Sequence, residues 1–477
     1  MLQEFRNSLA SPALVEELRS GLIGENAAII GPFGERKLVY ADYVASGRAL
    51  MQVERFILEN VLPYYANSHT EASYCGGFMT RMRREARTAI ASSCNAGPDH
   101  AVIFAGSGAT AGINRLVSLL GIADALRAKR RVRVMVGPYE HHSNILPWRE
   151  CGAEMVEIKE TPEGGPDLAQ LQSALDDQTP EELTICAFSA ASNVTGIVSD
   201  VAAVTRLAKA SGAKIVWDYA GAGPYLPIDM TPANDCPIDA IVISPHKFIG
   251  GPGASGILIV RRDAVVSARP TWPGGGTVTF VSPWGHDYSD SLEAREEAGT
   301  PNVVGDIRAA LTFLVKDSVG IDLMAHRNAE LAQRGMQRLS GMDTLDLLGS
   351  RIAPRLPIFS FRVRDGKGGF VHQQLVTRML SDRFGIQARG GCACAGPYVH
   401  RLLDIDATRS TAMREAIRRG REVEKPGFTR FNLSVLMSDE KVDFILDSIA
   451  ELAKDAASYA SRYDVDPARA IFSPKAA

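Results

Sequence analysis

The sequence has few cysteines and no surplus of charge of either sign. Seven cysteines are spread through 477 residues, which is too few and too scattered for a disulfide framework, and an odd count is typical of free thiols in a reducing compartment. Lysine and arginine number 52 against 55 aspartates and glutamates, a formal net charge of −3. Because neither sign is in excess, the composition argues against nucleic acids and membrane surfaces as partners.

Long apolar runs, repeats and low-complexity segments are also missing. No apolar run approaches the roughly 20 residues that span a bilayer, and the mixed-charge N-terminus lacks the basic-then-apolar layout of a signal peptide. We therefore expect a cytoplasmic protein. The length of 477 residues exceeds the roughly 250–300 at which a single core stops growing, which predicts two domains.

Short β-rich apolar runs alternate with helical stretches between about residues 86 and 260. This alternation predicts an α/β fold with a mostly parallel, doubly wound sheet that has helices on both faces. In such sheets ligands bind beyond the carboxyl ends of the strands, so the polar residues after each run are the candidates for chemistry. The predicted strands are 101–106, 132–137, 184–190, 214–220 and 240–245.

The pattern changes after about residue 315, where long helices and one clear strand, RLPIFSFRV, follow each other. This composition predicts a smaller α+β domain at the C-terminus. We divide the chain into an N-terminal arm over 1–35, a large domain over 36–315 and a small domain over 316–477. The charge-rich stretch 406–427 is predicted to be an exposed helical insertion in the small domain.

The segment S-P-H-K-F-I-G-G-P-G, residues 244–253, is the strongest chemical signal. Its Lys247, framed by Ser244 and His246, suits covalent capture of an aldehyde, because a partly desolvated amine loses its proton. The glycines that follow let the chain turn tightly beside a bulky ring. A lone lysine is usually a solvated surface group, so this hypothesis depends on features elsewhere in the chain.

Other apolar runs are followed by residues that suit the same ligand. Asp218 comes after KIVW, where a carboxylate can pair with a protonated pyridine nitrogen; taken alone, a helix N-cap is the alternative. The small-residue turn at 105–114 opens a helix whose N–H groups can hold a phosphate. E-H-H-S-N at 140–144 puts an imidazole where it can stack on the ring. A metal site is the alternative there, but no cysteine or third histidine has zinc spacing.

In this order the segments resemble the class V branch of the fold-type I pyridoxal-phosphate enzymes, in particular the group II cysteine desulfurases and selenocysteine lyases. The resemblance covers about residues 40 to 436. It implies pyridoxal 5'-phosphate held by Lys247 as a Schiff base, with Asp218 at the ring nitrogen. E-H-H-S-N-I-L-P-W is similar to the family's E-H-H-x-N-x-x-P-W, which makes His141 the stacking histidine and a proton carrier.

The remaining cofactor contacts follow from the same resemblance. S-N-V-T-G is similar to the family's S-N-V-x-G and assigns Asn193 to the ring hydroxyl or to the substrate. The phosphate loop and the lysine turn correspond to Ala109, Thr110, Ser244 and His246. The stretch A-G-T-P-N, with Thr300, resembles a loop that reaches the phosphate of the partner subunit in the family, so a homodimer is implied.

The stretch A-R-G-G-C-A-C-A-G-P resembles the family's R-x-G-x-x-C pattern. Counting from Arg389, the resemblance makes Cys394 the nucleophile that takes sulfur from L-cysteine as a persulfide and releases alanine, with a sulfur-acceptor protein as a further partner. T-R-F-N-L-S resembles the region in which the family binds the substrate carboxylate. Arg430 is therefore expected to clamp that group together with Arg389, since a planar guanidinium pairs bidentately with a carboxylate.

The chain departs from the family pattern in several places. Gly221 replaces the glutamine of the usual D-G-A-Q, the charged insertion follows Cys394, and Cys392 occupies a position where another residue, often histidine, is usual. The alternatives to desulfuration are therefore other class V reactions: epimerase, aminotransferase, selenocysteine lyase or molybdenum-cofactor sulfurase-like chemistry. A ligand sensor for transcription is disfavoured, because it would carry a basic DNA-binding module.

Overall fold

The computed structural model describes residues 1–68, 71–179, 181–232 and 236–475. Its helices are α1 Leu2–Ser8, α2 Leu14–Ser20, α3 Met51–Phe56, α4 Tyr74–Ser93, α5 Gly108–Leu119, α6 Ile122–Arg127, α7 Leu146–Glu150, α8 Leu168–Asp176, α9 Val201–Ala210, α10 Leu292–Glu296, α11 Val303–Val319, α12 Ile321–Leu339, α13 Gln373–Phe384, α14 Gly396–Leu402, α15 Ala407–Arg418 and α16 Asp439–Tyr459. Short 3₁₀ turns include His142–Asn144 and Pro245–Lys247, and a π-helical turn, Ile57–Val61, continues α3.

The strands are β1 Ala28–Gly31, β2 Gly34–Lys37, β3 Val39–Tyr40, β4 His100–Gly106, β5 Val132–Val136, β6 Glu154–Glu157, β7 Leu183–Ser189, β8 Lys214–Asp218, β9 Ala240–Ile243, β10 Gly256–Arg261, β11 Val278–Ser282, β12 Gly285–Tyr288, β13 Leu345–Leu347, β14 Ile358–Arg364, β15 Phe370–Val371, β16 Ile386–Gln387, β17 Arg389–Gly391, β18 Phe428–Asn432, β19 Tyr463–Asp466 and β20 Ile471–Pro474.

A seven-stranded sheet in the order β4-β10-β9-β8-β7-β5-β6 forms the centre of the fold. Neighbouring strands from β6 to β9 run parallel, and β10 runs antiparallel to both β9 and β4. The predicted α/β class with a mostly parallel sheet is therefore confirmed. The parallel strands end at one edge of the sheet, which is where ligands bind in folds of this kind.

Both faces of this sheet are covered, so a central strand such as β9, Ala-Ile-Val-Ile, is a continuous apolar run rather than alternately polar. In β9, Ile241 and Ile243 belong to the core beneath α4, α9 and α11, whereas Val242 belongs to the core beneath α5 on the opposite face. Because side chains alternate across a strand, one continuous apolar run supplies two separate cores. Helices cover both faces, as the doubly wound pattern predicts.

A five-strand antiparallel sheet lies in the C-terminal part of the chain, with β13-β14-β18-β17 in line and β15 paired to β14. It packs against α12, α13 and α16 around a core of its own that includes Phe359, Phe361 and Phe431. The N-terminal helices α1 and α2 pack into the large core through residues such as Phe5 and Leu18. The insertion contains α15, a helix with no buried residue.

Within the described residues one stretch, Gly108–Arg127, has the length and apolar composition of a membrane span. It consists of α5 and α6, which are separated at Gly121, where the backbone has a φ of +76°. Of this stretch, 56% is buried inside the protein, and Ile113 and Leu116 belong to one of the sheet's cores. The stretch is therefore built as a pair of core helices.

Candidate active site

A cleft of about 220 Å³ lies at the carboxyl ends of the parallel strands. It is reached by Asp218 at the end of β8, Ser189 at the end of β7, His141 shortly after β5 and Lys247 after β9. The structure thus brings together side chains that are far apart in the sequence, because parallel strands end at the same edge. Of the predicted site residues, those that line the cleft are Ala109, Thr110, His141, Asn193, Asp218, Ser244, His246 and Lys247.

Lys247 ends the short 3₁₀ turn that follows β9. Desolvation by its surroundings lowers the pKa of the ammonium to about 8, Asp218 opposes this shift, and Arg430 and Arg389 add to it. At pH 7, Lys247 is therefore the free amine in about a tenth of the molecules. An amine in that state can attack an aldehyde, which a lysine with its ordinary pKa does poorly.

Asp218 is almost fully buried, with 4% of its surface exposed. Its Oδ1 accepts a hydrogen bond of 2.7 Å from the Ala220 N–H. Burial raises the pKa of this carboxyl, whereas the Ala220 N–H and Lys247 lower it. Such a carboxylate still has lone pairs free to accept a bond from a protonated ring nitrogen.

His141 is held by Ser143. Its Nδ1 accepts a bond of 3.1 Å from the Ser143 backbone N–H, so a neutral ring carries its proton on Nε2. Burial and the charge of Lys247 lower the pKa of His141 to about 4, and the ring is neutral at pH 7. The Ser143 hydroxyl lies 2.7 Å from that of Thr110. This contact connects the histidine turn to the first turn of α5.

The N-terminus of α5 closes one end of the cleft. Gly108 has a φ of +64°, and a Cβ there would lie 2.9 Å from both His246 Cε1 and Ser244 Oγ, so the turn requires glycine. The Ala109 N–H donates to Ser244 Oγ over 2.9 Å. Because that donor is used inside the protein, an anion at this end is left with the Thr110 hydroxyl and the other N–H groups of the first turn.

Asn193 connects the cleft to two predicted sites outside it. Its Nδ2 donates a hydrogen bond of 2.8 Å to the backbone carbonyl oxygen of Ala393. Its backbone carbonyl oxygen accepts a hydrogen bond of 2.9 Å from Arg430 Nη1. Its Oδ1 is buried without a hydrogen-bond partner within the described residues. Gly221 lines the cleft beside it, and a Cβ at that position would lie 3.5 Å from Asn193 Cβ. The glycine therefore offers no side-chain donor to this unpaired acceptor.

The cysteine loop is bound to the wall of the cleft through its backbone. The His142 N–H donates 2.8 Å to the carbonyl oxygen of Cys394, and the Gly396 N–H donates 3.0 Å to His142 Nε2. Ala393 and Cys394 both have positive φ values, 49° and 54°, so the loop turns sharply at this point. Cys394 is exposed, whereas Cys392 is half-buried. Neither thiol lines the cleft itself.

Arg430 and Arg389 lie opposite each other on β18 and β17. They do not line the cleft; Arg430 is buried behind Asn193, and both arginines are paired with Asp42. Asp42 carries no signal in the sequence, since its partners are 347 and 388 residues away along the chain. No local pattern marks such a contact.

Glu140 was also missed, although it belongs to the E-H-H-S-N motif. Its carboxylate accepts bonds from the Ser189 N–H at 2.8 Å, the Ser189 hydroxyl at 2.7 Å and Asn144 Nδ2 at 2.5 Å. Burial raises the pKa of Glu140 to about 7. The acid at the start of the motif therefore joins the histidine turn to the end of β7. The spacing of Glu140 and Asn144 is the signal that could have revealed this.

Thr300 is exposed and does not line the cleft of its own chain. The neighbouring hairpin β11–β12 exposes large apolar side chains, among them Phe280 at 59% and Trp284 at 92%. The insertion lies near the cysteine loop: Met413 packs on the cluster that includes Ala395. Within the described ranges, no group of histidine, cysteine and acidic residues is arranged to hold a metal ion.

Comparison with known proteins gives a consistent result. The family profile for aminotransferase class-V matches residues 39–444. A cysteine desulfurase from an Enterobacter species is 30% identical over 368 residues, which are 76% of this chain and 85% of the relative. A probable cysteine desulfurase from Streptomyces coelicolor is 29% identical over 382 residues, 79% and 87% of the two chains.

Solved structures share the fold. A cysteine desulfurase from Thermococcus onnurineus superposes with a TM-score of 0.74 at 24% identity, covering 92% of this chain and 98% of that one. A cysteine desulfurase from Escherichia coli gives a TM-score of 0.72 at 21% identity, with coverage of 93% and 98%. The predicted fold type, a fold-type I architecture, is thereby confirmed.

Proposed function

Because this chain belongs to the aminotransferase class-V family, whose members are pyridoxal-phosphate-dependent enzymes, we propose that it is a cysteine desulfurase. The proposed reaction removes the sulfur of L-cysteine as a persulfide on Cys394 and releases L-alanine. The observation that carries the proposal is the connection between Lys247 and the cysteine loop. Asn193 lines the cleft with Lys247 and binds the loop backbone at Ala393.

The residues of the cleft fit pyridoxal 5'-phosphate. Lys247 supplies an amine with a lowered pKa, and Asp218 supplies a buried carboxylate for the ring nitrogen. Asn193 Oδ1 is a buried acceptor without a partner in the described chain, which a ring hydroxyl would satisfy. A phosphate would lie at the start of α5, near Thr110.

When bound, this cofactor supplies an electron-withdrawing ring that stabilises negative charge at the substrate Cα. Lys247 Nζ then serves as the base that removes the Cα proton. Asp218 would keep the ring nitrogen protonated, and His141, which is neutral at pH 7, would pack against the cofactor without adding a positive charge. His141 Nε2 carries the proton that the tautomer leaves on that atom, so it can donate to a developing anion.

Cys394 acts on the sulfur. Its thiolate attacks the substrate sulfur, the substrate C–S bond breaks, and the sulfur remains on the enzyme as Cys394–S–SH. The electron pair of the broken C–S bond stays with the substrate carbon, which takes up a proton to give alanine. Because Cys394 is exposed, the persulfide is open to a sulfur-acceptor protein, which we propose as the physiological recipient.

We also propose a homodimer. Thr300 is exposed on its own chain, and the adjacent hairpin β11–β12 presents Phe280 and Trp284 to solvent. Exposed aromatic side chains of this size are typical of protein interfaces. A second copy would cover the hairpin and bring Thr300 toward the phosphate end of the partner's cleft. We further expect the protein to be cytoplasmic.

The proposed reaction is tested with purified holoenzyme, L-cysteine and a reducing thiol. Wild type should release sulfide and alanine in equal amounts, Cys394→Ser should release neither, and Cys392→Ser should keep most of the activity. The visible spectrum of each variant is recorded as a control, because it shows whether the variant still contains the cofactor. Sulfide release that survives in Cys394→Ser would remove the assigned nucleophile.

The other class V reactions remain the second proposal, and Gly221 is the observation that favours them. A glycine without a side-chain donor next to Asn193 differs from the glutamine expected in a desulfurase. If wild type with an intact cofactor spectrum releases no sulfide from L-cysteine, the same protein should be tested with L-selenocysteine and for racemisation or transamination of amino acids.

A further inference from the structure

Two arginines of the small sheet face each other directly. Arg389 on β17 is the cross-strand partner of Arg430 on β18, and residues opposed in this way project from the same face of a sheet. Like charges in this arrangement repel each other. The repulsion is severe for Arg430, because only 3% of its surface is exposed to water.

The carboxylate of Asp42 bridges the pair. Its Oδ1 accepts a hydrogen bond of 2.8 Å from Arg430 Nη2, and its Oδ2 accepts one of 3.0 Å from Arg389 Nε. Asp42 is itself 8% exposed, so little water screens its contact with the buried Arg430, whereas its contact with Arg389 is open to solvent on the arginine side. Both oxygens of one buried carboxylate are thus occupied by two different guanidinium groups.

Asp42 owes this position to the backbone around it. β3 pairs with β16, and the Ala41 N–H donates 3.0 Å to the Gln387 carbonyl oxygen, two residues before Arg389. On the other side, the Asn432 N–H donates 2.9 Å to the Ala41 carbonyl oxygen. The N-terminal segment is therefore bonded on one side to β16, just before Arg389, and on the other to the end of β18, two residues after Arg430.

The three side chains retain one unneutralised positive charge. Two guanidinium groups and one carboxylate sum to +1, and Arg430 Nε is a buried donor without a partner in the described chain. Asn193 accepts from Arg430 Nη1, which fixes the guanidinium next to the cleft. A single carboxylate arriving at this donor would both satisfy Nε and bring the cluster to zero net charge.

We propose that Asp42 is a specificity-determining residue that limits the site to amino acids with one free carboxylate and an uncharged side chain. It does so by cancelling one of the two arginine charges, so that a second anionic group on the ligand finds no positive charge left to neutralise. This inference rests on the proposed role of Arg430 in binding the α-carboxylate of the substrate. It adds the substrate class to that role.

The test compares two ligands that differ by one charge and have nearly the same shape, L-asparagine and L-aspartate. Each is titrated into the holoenzyme, and its Kd is read from the change in the visible spectrum. Wild type should bind asparagine more tightly than aspartate. In Asp42→Asn the ratio of the two Kd values should shift toward aspartate by about tenfold or more, since the cluster then carries +2.

Two further variants separate charge from structure. Arg389→Gln makes the cluster neutral and should shift the ratio the other way, and Asp42→Asn combined with Arg389→Gln restores +1 and should return it toward wild type. Arg389 is half exposed, with 51% of its side chain accessible, so its replacement tests the charge even where Asp42→Asn fails to fold. Asp382→Asn, which removes a buried carboxylate bound to Arg378, is the matched control and should leave the ratio unchanged.

A ratio that stays constant across the Asp42 and Arg389 variants would overturn the inference, and so would a wild-type holoenzyme that binds neither ligand. Sulfide release from L-cysteine, measured in parallel, tests the proposed reaction separately. If sulfide is released but the ratio of the two Kd values is unchanged in the variants, only the role of Asp42 is rejected. A shifted ratio without release rejects only desulfuration.

Discussion

The backbone N–H of His142 lies 2.8 Å from the carbonyl oxygen of Cys394 and donates a hydrogen bond to it. The histidine turn that places His141 in the cleft therefore also holds the cysteine loop. The His142 ring adds a second bond, from the Gly396 N–H. Because the histidine turn contacts both the cleft and the cysteine loop, the position of the Cys394 thiol is coupled to the shape of the cofactor site.

His142→Ala should loosen this loop. The substitution leaves the Gly396 N–H without its acceptor while the backbone bond to Cys394 remains, a loss of about 1 kcal/mol. We expect faster hydrogen exchange of the amides at 392–396 and a sulfide release rate reduced about fivefold. His326→Ala, on an exposed position of α12, should change neither. Unaltered exchange at 392–396 would show that the ring does not restrain the loop.

The pKa of Lys247 predicts how the apoprotein takes up pyridoxal 5'-phosphate at different pH values. At pH values below the Lys247 pKa of about 8, the free amine is the minor form. Its fraction rises about tenfold with each pH unit in that range. Uptake, followed by the visible absorption of the bound cofactor, should accelerate to about pH 8 and then level off. A rate that keeps rising toward pH 10 would indicate an ordinary lysine. Lys247→Ala should develop no such absorption.

Asp218→Asn removes a charge without changing the size of the side chain. An amide cannot hold the ring nitrogen protonated, so catalysis should lose about 3–4 kcal/mol of transition-state stabilisation, or roughly 10²- to 10³-fold in kcat. The cofactor should remain bound through Lys247. Asp200→Asn, which exchanges one good N-cap of α9 for another, is the control. Near-normal kcat in Asp218→Asn would contradict the assigned role.

Arg430→Lys keeps the positive charge but removes the planar fork. The lysine retains a pairing with Asp42 but cannot also reach the Asn193 carbonyl and a substrate carboxylate in the same geometry. We expect KM for L-cysteine to rise about tenfold, with a smaller change in kcat, as measured by steady-state sulfide release. If KM is unchanged, a group other than Arg430 binds the carboxylate.

Much of the fold could be predicted from the sequence because its signals are local. The apolar runs KIVW and AIVI predict buried strands. They form β8, Lys214–Asp218, and β9, Ala240–Ile243. The stretch DEKVDFILDSIAELAKDAASYASRY, which starts at residue 439, predicts a long C-terminal helix, and α16 spans Asp439–Tyr459. Periodicity and composition act over a few turns of the chain, so one sequence reveals them.

The candidate site was predictable where a family motif lies on a strand end. Lys247, Asp218 and His141 each follow a recognisable apolar run, and a parallel sheet brings such ends together. Their chemical roles stay predictions until the variants above are measured. Glu140 lies inside a recognised motif, but only the fold reveals that it binds Ser189.

By itself, then, the sequence determined the α/β class, the family and the residue types available for chemistry, because these depend on local pattern and motif. Only the tertiary structure decided that Asp42 bridges Arg389 and Arg430, and that His142 binds the cysteine loop. Those contacts join segments hundreds of residues apart along the chain. Their geometry comes from strand register and loop packing, which no short stretch of sequence encodes.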